Sequence, residues 1–215
     1  MKSKMGSVQR VPAQDAAQFM DRFEVLGNVG LAVWHWGLVS GGQLVSVVSF
    51  GTTCFSPRRG FLGGIASQAN CRILQLCRGA TAPEAPRNSP SHLLSTACNR
   101  IYKDMGCLLI VAYADPNLGE TGTIYQACNA IYTGMTDPGG QANYIVLGKS
   151  MSGWQVRKKY GTRSRARLST IDPDVKILPL TPKHRYVLLA CPRRKKRHVR
   201  RLLAPRTLPY PNKHG

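Results

Sequence analysis

The sequence predicts an α/β (α+β) fold: a mixed, mostly antiparallel sheet flanked by short helices, with a strongly basic C-terminal extension. Three observations lead there. The hydrophobic periodicities, read in order, run helix, strand, strand, strand, helix, strand, helix, strand. The stretch Leu108–Gly134 (LLIVAYADPNLGETGTIYQACNAIYTG) reads as an inner strand, a polar turn and a helix. Charge is unevenly spread: residues 1–148 carry 11 Lys and Arg against 8 Asp and Glu, whereas residues 149–215 carry 19 against 2.

After a loose basic start at Met1–Arg10, Val11–Phe23 has helical spacing, with Ala16, Phe19, Met20 and Phe23 on one stripe. Gly27–Trp36 and Gln43–Phe50 are expected strands joined as a hairpin through Ser40-Gly41-Gly42. Trp34-His35-Trp36 puts two tryptophans on one strand face and the histidine on the other. His35 is then either a packed histidine or a ligand or base titrating near neutrality. Gly51–Asn70, containing Arg58-Arg59 and Gly63-Gly64, is expected as a long irregular loop. Cys71–Cys77 is the next strand.

A proline-containing segment, Ala80–Asn88, leads to Ser89 as N-cap and Pro90 at the first helical position. Leu93, Leu94, Ala97 and Ile101 mark the buried stripe of that helix, which ends near Asp104. Arg87, Asn88, Ser89 and Ser91 crowd its start, where backbone N–H groups can hold an anion; ordinary capping is the alternative. Leu108–Val111 is the inner strand, stopped by Asp115-Pro116-Asn117. From Thr123, Ile124, Ala127, Cys128 and Ile131 recur at helical spacing, with Tyr125, Asn129 and Tyr132 on another face. A carboxylate at a strand end followed by a phenol on a helix is an active-site layout, and equally a turn aspartate beside packed tyrosines.

Beyond a turn at Thr136–Gly140, Asn143–Leu147 is a further strand. Arg157, Lys158, Lys159, Arg163, Arg165 and Arg167 are interleaved with Trp154 and Tyr160, a pattern suited to phosphates beside stacked bases. Asp172–Pro182 reads as a linker. Lys183 and Arg185 precede an apolar strand at Val187–Ala190, and Arg193, Arg194, Lys195, Lys196 and Arg197 open an almost wholly basic run. A nucleic acid, or less often an anionic membrane, is the expected partner of these cations, with a disordered solubilising tail as the alternative.

Seven cysteines without a C-x-x-C pair point to a reduced, cytoplasmic protein rather than a disulfide framework or zinc ribbon. Met1–Gln18 lacks the apolar core of a signal peptide, and Val29–Phe50 is interrupted by polar residues and glycines, so no membrane partner is expected.

The strand–helix order with an anion site before a helix resembles the Gcn5-related N-acetyltransferase (GNAT) fold. More narrowly, Tyr113-Ala114-Asp115-Pro116 with Gly122-Thr123-Ile124-Tyr125-Gln126-Ala127 resembles the Mom family of bacteriophage DNA modification proteins. Trp34-His35-Trp36, Leu76-Cys77-Arg78, Ser91, Lys183-His184-Arg185-Tyr186 and Pro209-Tyr210-Pro211 support it, and the likeness runs from Gly27 to Tyr210. It implies conversion of adenine N6 in DNA to a carbamoylmethyl (methylcarbamoyl) amine, protecting phage DNA from restriction in the host bacterial cytoplasm. It also implies acetyl-CoA as donor and an associated iron.

Carried over by motif, His35, Ser91, Asp115 and Tyr125 are the catalytic candidates. Arg78 with Arg87, Asn88, Ser89 and Ser91 are the cofactor-binding ones, and His35 with Asp115 would be metal ligands. The expected organisation is residues 1–26 as basic start and helix, 27–148 as GNAT-like core, and 149–215 as a basic DNA-binding region packed on it. An ordinary GNAT acyltransferase and a non-catalytic DNA-binding protein remain the alternative functions.

Overall fold

Gly41 and Gly42, with φ of 59° and 80°, turn the chain between β2 (Ala32–Ser40) and β3 (Gln43–Thr52). Two consecutive positive φ values give the turn whose twist matches paired strands. The computed structural model describes residues 6–25, 27–52, 60–137 and 142–212. Cys54, Arg58-Arg59 and the end of the expected 136–140 turn lie outside them.

The chain divides into two units: one of residues up to Ala114, Glu120–Gly134 and from His184 onward, the other of Asp115–Gly119 and Met135–Lys183. The basic sequence from residue 149 is thus shared between both.

The first unit holds β1 (Ser7–Arg10), β2, β3, β4 (Arg72–Thr81), β5 (Leu108–Ala114), β6 (Ile131–Met135) and β10 (His184–Ala190), ordered β1-β2-β3-β4-β5-β10-β6. Neighbours from β1 to β4 pair antiparallel, as do β5 and β10, while β4 and β5 are parallel. This is the mixed, mostly antiparallel sheet that the sequence predicts.

Strand periodicity sends Leu108, Ile110, Ala112 and Ala114 to one face and Leu109 to the other. Both faces are covered, so the run reads as unbroken apolar sequence. Helix α3 (Ser89–Met105) seats Leu93, Leu94, Ala97 and Ile101 on the first face. On the other, α1 (Ala13–Phe23) packs Ala16, Phe19 and Met20 against Val47 and Ala80. Farther along that face, α2 (Phe61–Gln68) and α7 (Arg193–Leu203) pack Ile65, Ala66, Val199 and Leu203 around Leu109 and Val187.

Several elements differ from the sequence reading. Ser7–Arg10 is an edge strand, paired with Trp36–Val39. The strand expected from Gly27 starts at Ala32, because Gly27 and Gly30 adopt φ of 58° and 62°. The irregular loop contains α2, whose glycines mask the buried Ile65 and Ala66. Helix α4 is only Thr123–Ala127, and Asn129, at φ 56°, ends the turn before Ile131 opens β6. Tyr125, Asn129 and Tyr132 therefore share no helical face. Asparagine tolerates this left-handed conformation, and that stops the helix where apolar spacing alone continues it.

The second unit contains β7 (Ala142–Val146), β8 (Lys149–Ser152) and β9 (Lys176–Pro179) in the order β8-β7-β9, with α5 (Gly153–Tyr160) and α6 (Arg165–Ser169). Lys176–Pro179, expected as linker, is a strand paired with β7. Tyr144, Val146, Val156, Leu168 and Val175 form the unit's own core. The buried Asp172 accepts the Leu147 N–H at 2.7 Å and the Asp174 N–H at 3.0 Å. Ser152 and Gln155 close a capping box at the start of α5.

Candidate active site

Strands β4 and β5 pair only from Arg72–Gln75 to Leu108–Val111. Beyond Gln75, β4 keeps its partner β3 but leaves β5, and a bulge between Ser49 and Phe50 re-aims the strand pair. Beside this splay lies a cleft of about 270 Å³, lined by Val48, Leu76, Gly79, Thr81, Pro90, Leu94 and Tyr125. Its walls are β3 beside the far half of β4, the first turns of α3, α4, and Phe23 at the end of α1.

Gly122, at φ 71°, lets α4 start against the aromatic wall: a methyl group there would overlap the Tyr186 ring. Tyr125 packs on Tyr186 with ring centroids 5.3 Å apart, and its hydroxyl donates to the Tyr113 carbonyl at 3.2 Å. Burial raises the Tyr125 pKa, with the nearby Glu120 charge adding to it, so the group stays a neutral phenol. Tyr186 donates to the Thr121 carbonyl and accepts from Gln126, tying the preceding loop to β10. Tyr132 continues the cluster toward His184, with hydroxyl and Nδ1 2.9 Å apart.

The start of α3 departs from the expected capping. Asn88, at φ 66°, is the N-cap, and Ser89 is the first helical residue with Pro90 second. The Ser89 N–H and hydroxyl both donate to the Pro86 carbonyl, which closes a turn one residue earlier than expected. Pro90 has no N–H, so two of the first three amides offer nothing to an anion. The Ser91 hydroxyl donates to Asn88 O at 3.1 Å, while Arg87 stands exposed beside the turn.

His35, Ser49 and Arg78 form a row across β2, β3 and β4, on the α1 side of the sheet. His35 is buried, with Nδ1 2.9 Å from Ser49 Oγ; burial lowers its pKa and keeps the ring neutral. Arg78 donates to the Cys77 carbonyl at 2.8 Å and lies 3.7 Å from Glu24. Its Nε is buried with no hydrogen-bond acceptor among the described residues. Ser91 and Tyr125 belong instead to the α3 side.

In the second unit, Asp115 caps the short turn Pro116–Leu118 by accepting the Asn117 N–H at 3.0 Å. Lys183 Nζ lies 3.0 Å from its other oxygen. Burial pushes the Asp115 pKa up, but the Lys183 and Asn117 hydrogen bonds outweigh it, and the group is held below its usual value.

A family model described as the Mom protein family matches residues 6–212. The chain belongs to the Mom family. No curated protein is similar to it at sequence level. Among solved structures, this Mom chain is similar to an agmatine N-acetyltransferase variant in its apo form, at 10% identity and TM-score 0.44 over 85% of this chain and 98% of that one. It is also similar to SpeG spermidine N-acetyltransferase from Vibrio cholerae (9% identity, TM-score 0.44, 86% and 93% covered). A third is the ribosomal-protein-S5-alanine acetyltransferase from Vibrio fischeri (10% identity, TM-score 0.44, 85% and 92% covered).

The donor set of this Mom chain does not fit an iron ion held by His35 and Asp115. Among the described residues, no three His, Cys, Asp or Glu side chains are grouped to hold a metal, and His35 Nδ1 is already engaged by Ser49.

The cations expected to bind DNA separate into two kinds. Arg157, Lys158, Lys159, Arg163, Arg165 and Arg167 in the second unit are exposed, as are Arg193, Arg194 and Arg197 on α7. Others are engaged within the protein. Lys183 meets Asp115, and Lys195 donates to Asn70 O at 3.0 Å. Arg185 donates to Thr133 Oγ1 at 2.9 Å and Thr133 O at 3.1 Å while lying 4.7 Å from the Phe61 ring. The run beginning at Arg193 is a helix, a fact its cations conceal because only Val199 and Leu203 are fully buried. Among the described residues, no helix is long and apolar enough to cross a membrane.

Proposed function

We propose that this protein is a phage-type DNA modification enzyme, a transferase that acts on adenine N6 in double-stranded DNA with acetyl-CoA as donor. The product would be N6-carbamoylmethyl adenine, which shields DNA from restriction in the bacterial cytoplasm. The observation that carries the reading is the cleft beside the β4–β5 splay, walled by Tyr125 and the start of α3, in a chain that belongs to the Mom family.

The residues present fit an acyl-coenzyme A. Where β4 parts from β5, its backbone can pair with the amides of an extended pantetheine arm, as an added strand would. Arg87, exposed beside the turn into α3, suits the phosphates, whereas Arg78 lies on the opposite, α1 side of the sheet with its charge offset by Glu24. When bound, the coenzyme supplies a two-carbon unit on a thiol leaving group. The product is joined through the CH₂ carbon and ends in an amide, so plain acyl transfer to N6 would give a different adduct. Making it from the acetyl unit takes an ammonia-level nitrogen donor to displace the coenzyme thiol and a two-electron oxidant at the methyl carbon as it bonds to N6.

Adenine N6 is paired inside duplex DNA and must be exposed before it reacts. Its lone pair is delocalised into the ring, so help with its proton matters. Asp115, ionised at neutral pH, can accept a hydrogen bond from the amine, and its lowered pKa suits holding that proton better than removing it. Tyr125, a neutral phenol on the cleft wall, can donate to a leaving or developing anion once its O–H swings away from the Tyr113 carbonyl. Helix α7 favours a polyanionic partner: Arg193, Arg197 and Arg201 repeat at four-residue spacing, a self-repelling face held by the packing of Val199 and Leu203.

Mass spectrometry of nucleosides from plasmid DNA in cells making this chain, beside an Asp115→Ala control, tests the reading. The expected result is a deoxyadenosine adduct heavier by one carbamoylmethyl group, absent in the control. A plain acetyl adduct would replace the chemistry, and unmodified DNA from cells holding folded protein would count against the enzyme reading.

A further inference from the structure

We infer that the second unit is a duplex-gripping insertion in which Trp154 stacks on nucleobases exposed when the target adenine leaves the helix. This deepens the DNA modification reading and rests on it.

Helix α5 has an inner and an outer side. Val156 is fully buried in the unit's core and Tyr160 packs against that core. Trp154, Arg157 and Lys158 recur at helical spacing on the outer side. Trp154 is 69% exposed, whereas Trp36 is buried and Trp34 half-buried. The core of the unit closes without Trp154, so folding does not account for an indole left in water. Lys158 Nζ stands 5.1 Å from its ring centroid, placing a cation directly over the aromatic face. Arg157, Lys159, Arg163, Arg165 and Arg167 are exposed on the same helix, the following turn and α6.

Cations alone would serve any polyanion. A large flat ring among them narrows the partner to one carrying both phosphates and unstacked π-faces, which is nucleic acid with opened bases. A modification enzyme creates such a face, because extruding one base leaves its neighbours unstacked, and side chains inserted at that step stabilise the opened duplex. The capping box at Ser152 and the left-handed Gly161 fix both ends of α5, so the indole is presented on a rigid element.

The test uses the full chain with a duplex carrying 2-aminopurine beside the target adenine, and compares wild type, Trp154→Ala and Trp154→Phe across a salt series. Wild type should raise 2-aminopurine emission and lose tryptophan emission on binding. Trp154→Ala should bind ~5–100-fold more weakly and lose the 2-aminopurine rise while keeping its log–log salt slope, and Trp154→Phe should restore most of both. Unchanged affinity and emission in Trp154→Ala would overturn the inference and leave DNA modification standing. Wild type that fails to bind the duplex at low salt, but binds phosphatidylserine vesicles through Trp154, would overturn both.

Discussion

Lys183 Nζ and Asp115 Oδ2 are 3.0 Å apart, so the residue preceding β10 clamps the carboxylate that follows β5. The pair sets the protonation of Asp115. Lys183→Met should raise the Asp115 pKa toward the ordinary carboxylate value, seen by carboxyl ¹³C NMR titration. A depressed carboxylate pKa stabilises the fold above the unfolded value of ~3.9, and that contribution is lost as pH falls through the folded value. The variant should thus be less stable near neutrality and converge with wild type in strong acid. Because the side chains are 19% and 46% exposed, the loss should not exceed about 1 kcal/mol. An unmoved Asp115 titration would remove this role from Lys183.

Asp115→Asn keeps the side-chain oxygen that caps Asn117 but removes the charge. DNA modification should fall by ~10²–10⁴ with duplex affinity within about twofold, read from adduct yield and a binding isotherm. Parallel loss of binding would show that Asp115 organises the DNA surface instead.

Gly122→Ala forces a side chain into left-handed backbone and against the Tyr186 ring. Two costs combine, and urea unfolding should show a loss of about 2–4 kcal/mol. Gly41→Ala, at a turn where an added methyl meets open space, bears the backbone cost alone and should lose less.

Arg185→Gln separates a structural cation from a DNA-facing one. It breaks the bonds to Thr133 and the stacking on Phe61, so the melting temperature should fall. The slope of duplex affinity against salt should stay within one ion of wild type. A shallower slope would mean that Arg185 reaches phosphate.

Replacing Arg193, Arg194, Arg197 and Arg201 together by Gln should do the reverse. These exposed residues hold nothing in the core, and relief of repulsion along α7 should leave stability equal or slightly higher. If each meets a phosphate, the log–log salt slope should fall by ~3–4, measured by fluorescence anisotropy. An unchanged slope would locate the DNA contacts elsewhere.

The hairpin, α1, α3 and β5 were legible in the sequence because one principle governs each: adjacent turn glycines, a helical stripe, or an apolar run covered on both sides. The motif positions are partly gathered, with Tyr125 on the cleft and His35 and Arg78 in one row, while Asp115 belongs to the second unit. Structure departs from the sequence pattern where long-range pairing or one backbone angle decides the outcome. Ser7–Arg10 is a strand only because β2 offers an edge, and the α4 pattern ends at Asn129 because of a left-handed φ. Arg185 reads like its cationic neighbours, because sequence shows its charge but not the Thr133 and Phe61 that it meets in the fold. The cleft had no local signature, since it arises where β4 and β5 cease to pair.

Strand β10 lies between β5 and β6, yet it is made only after the intervening residues 135–183. A chain emerging from the ribosome therefore carries an unfinished sheet, with the β5 edge bare until Val187 and Leu188 arrive. Nascent chains halted before Ala190 should expose that apolar edge to chaperones and to one another. Lys183 and His184 emerge at the same moment, so closure of the sheet and neutralisation of Asp115 become a single late event in synthesis.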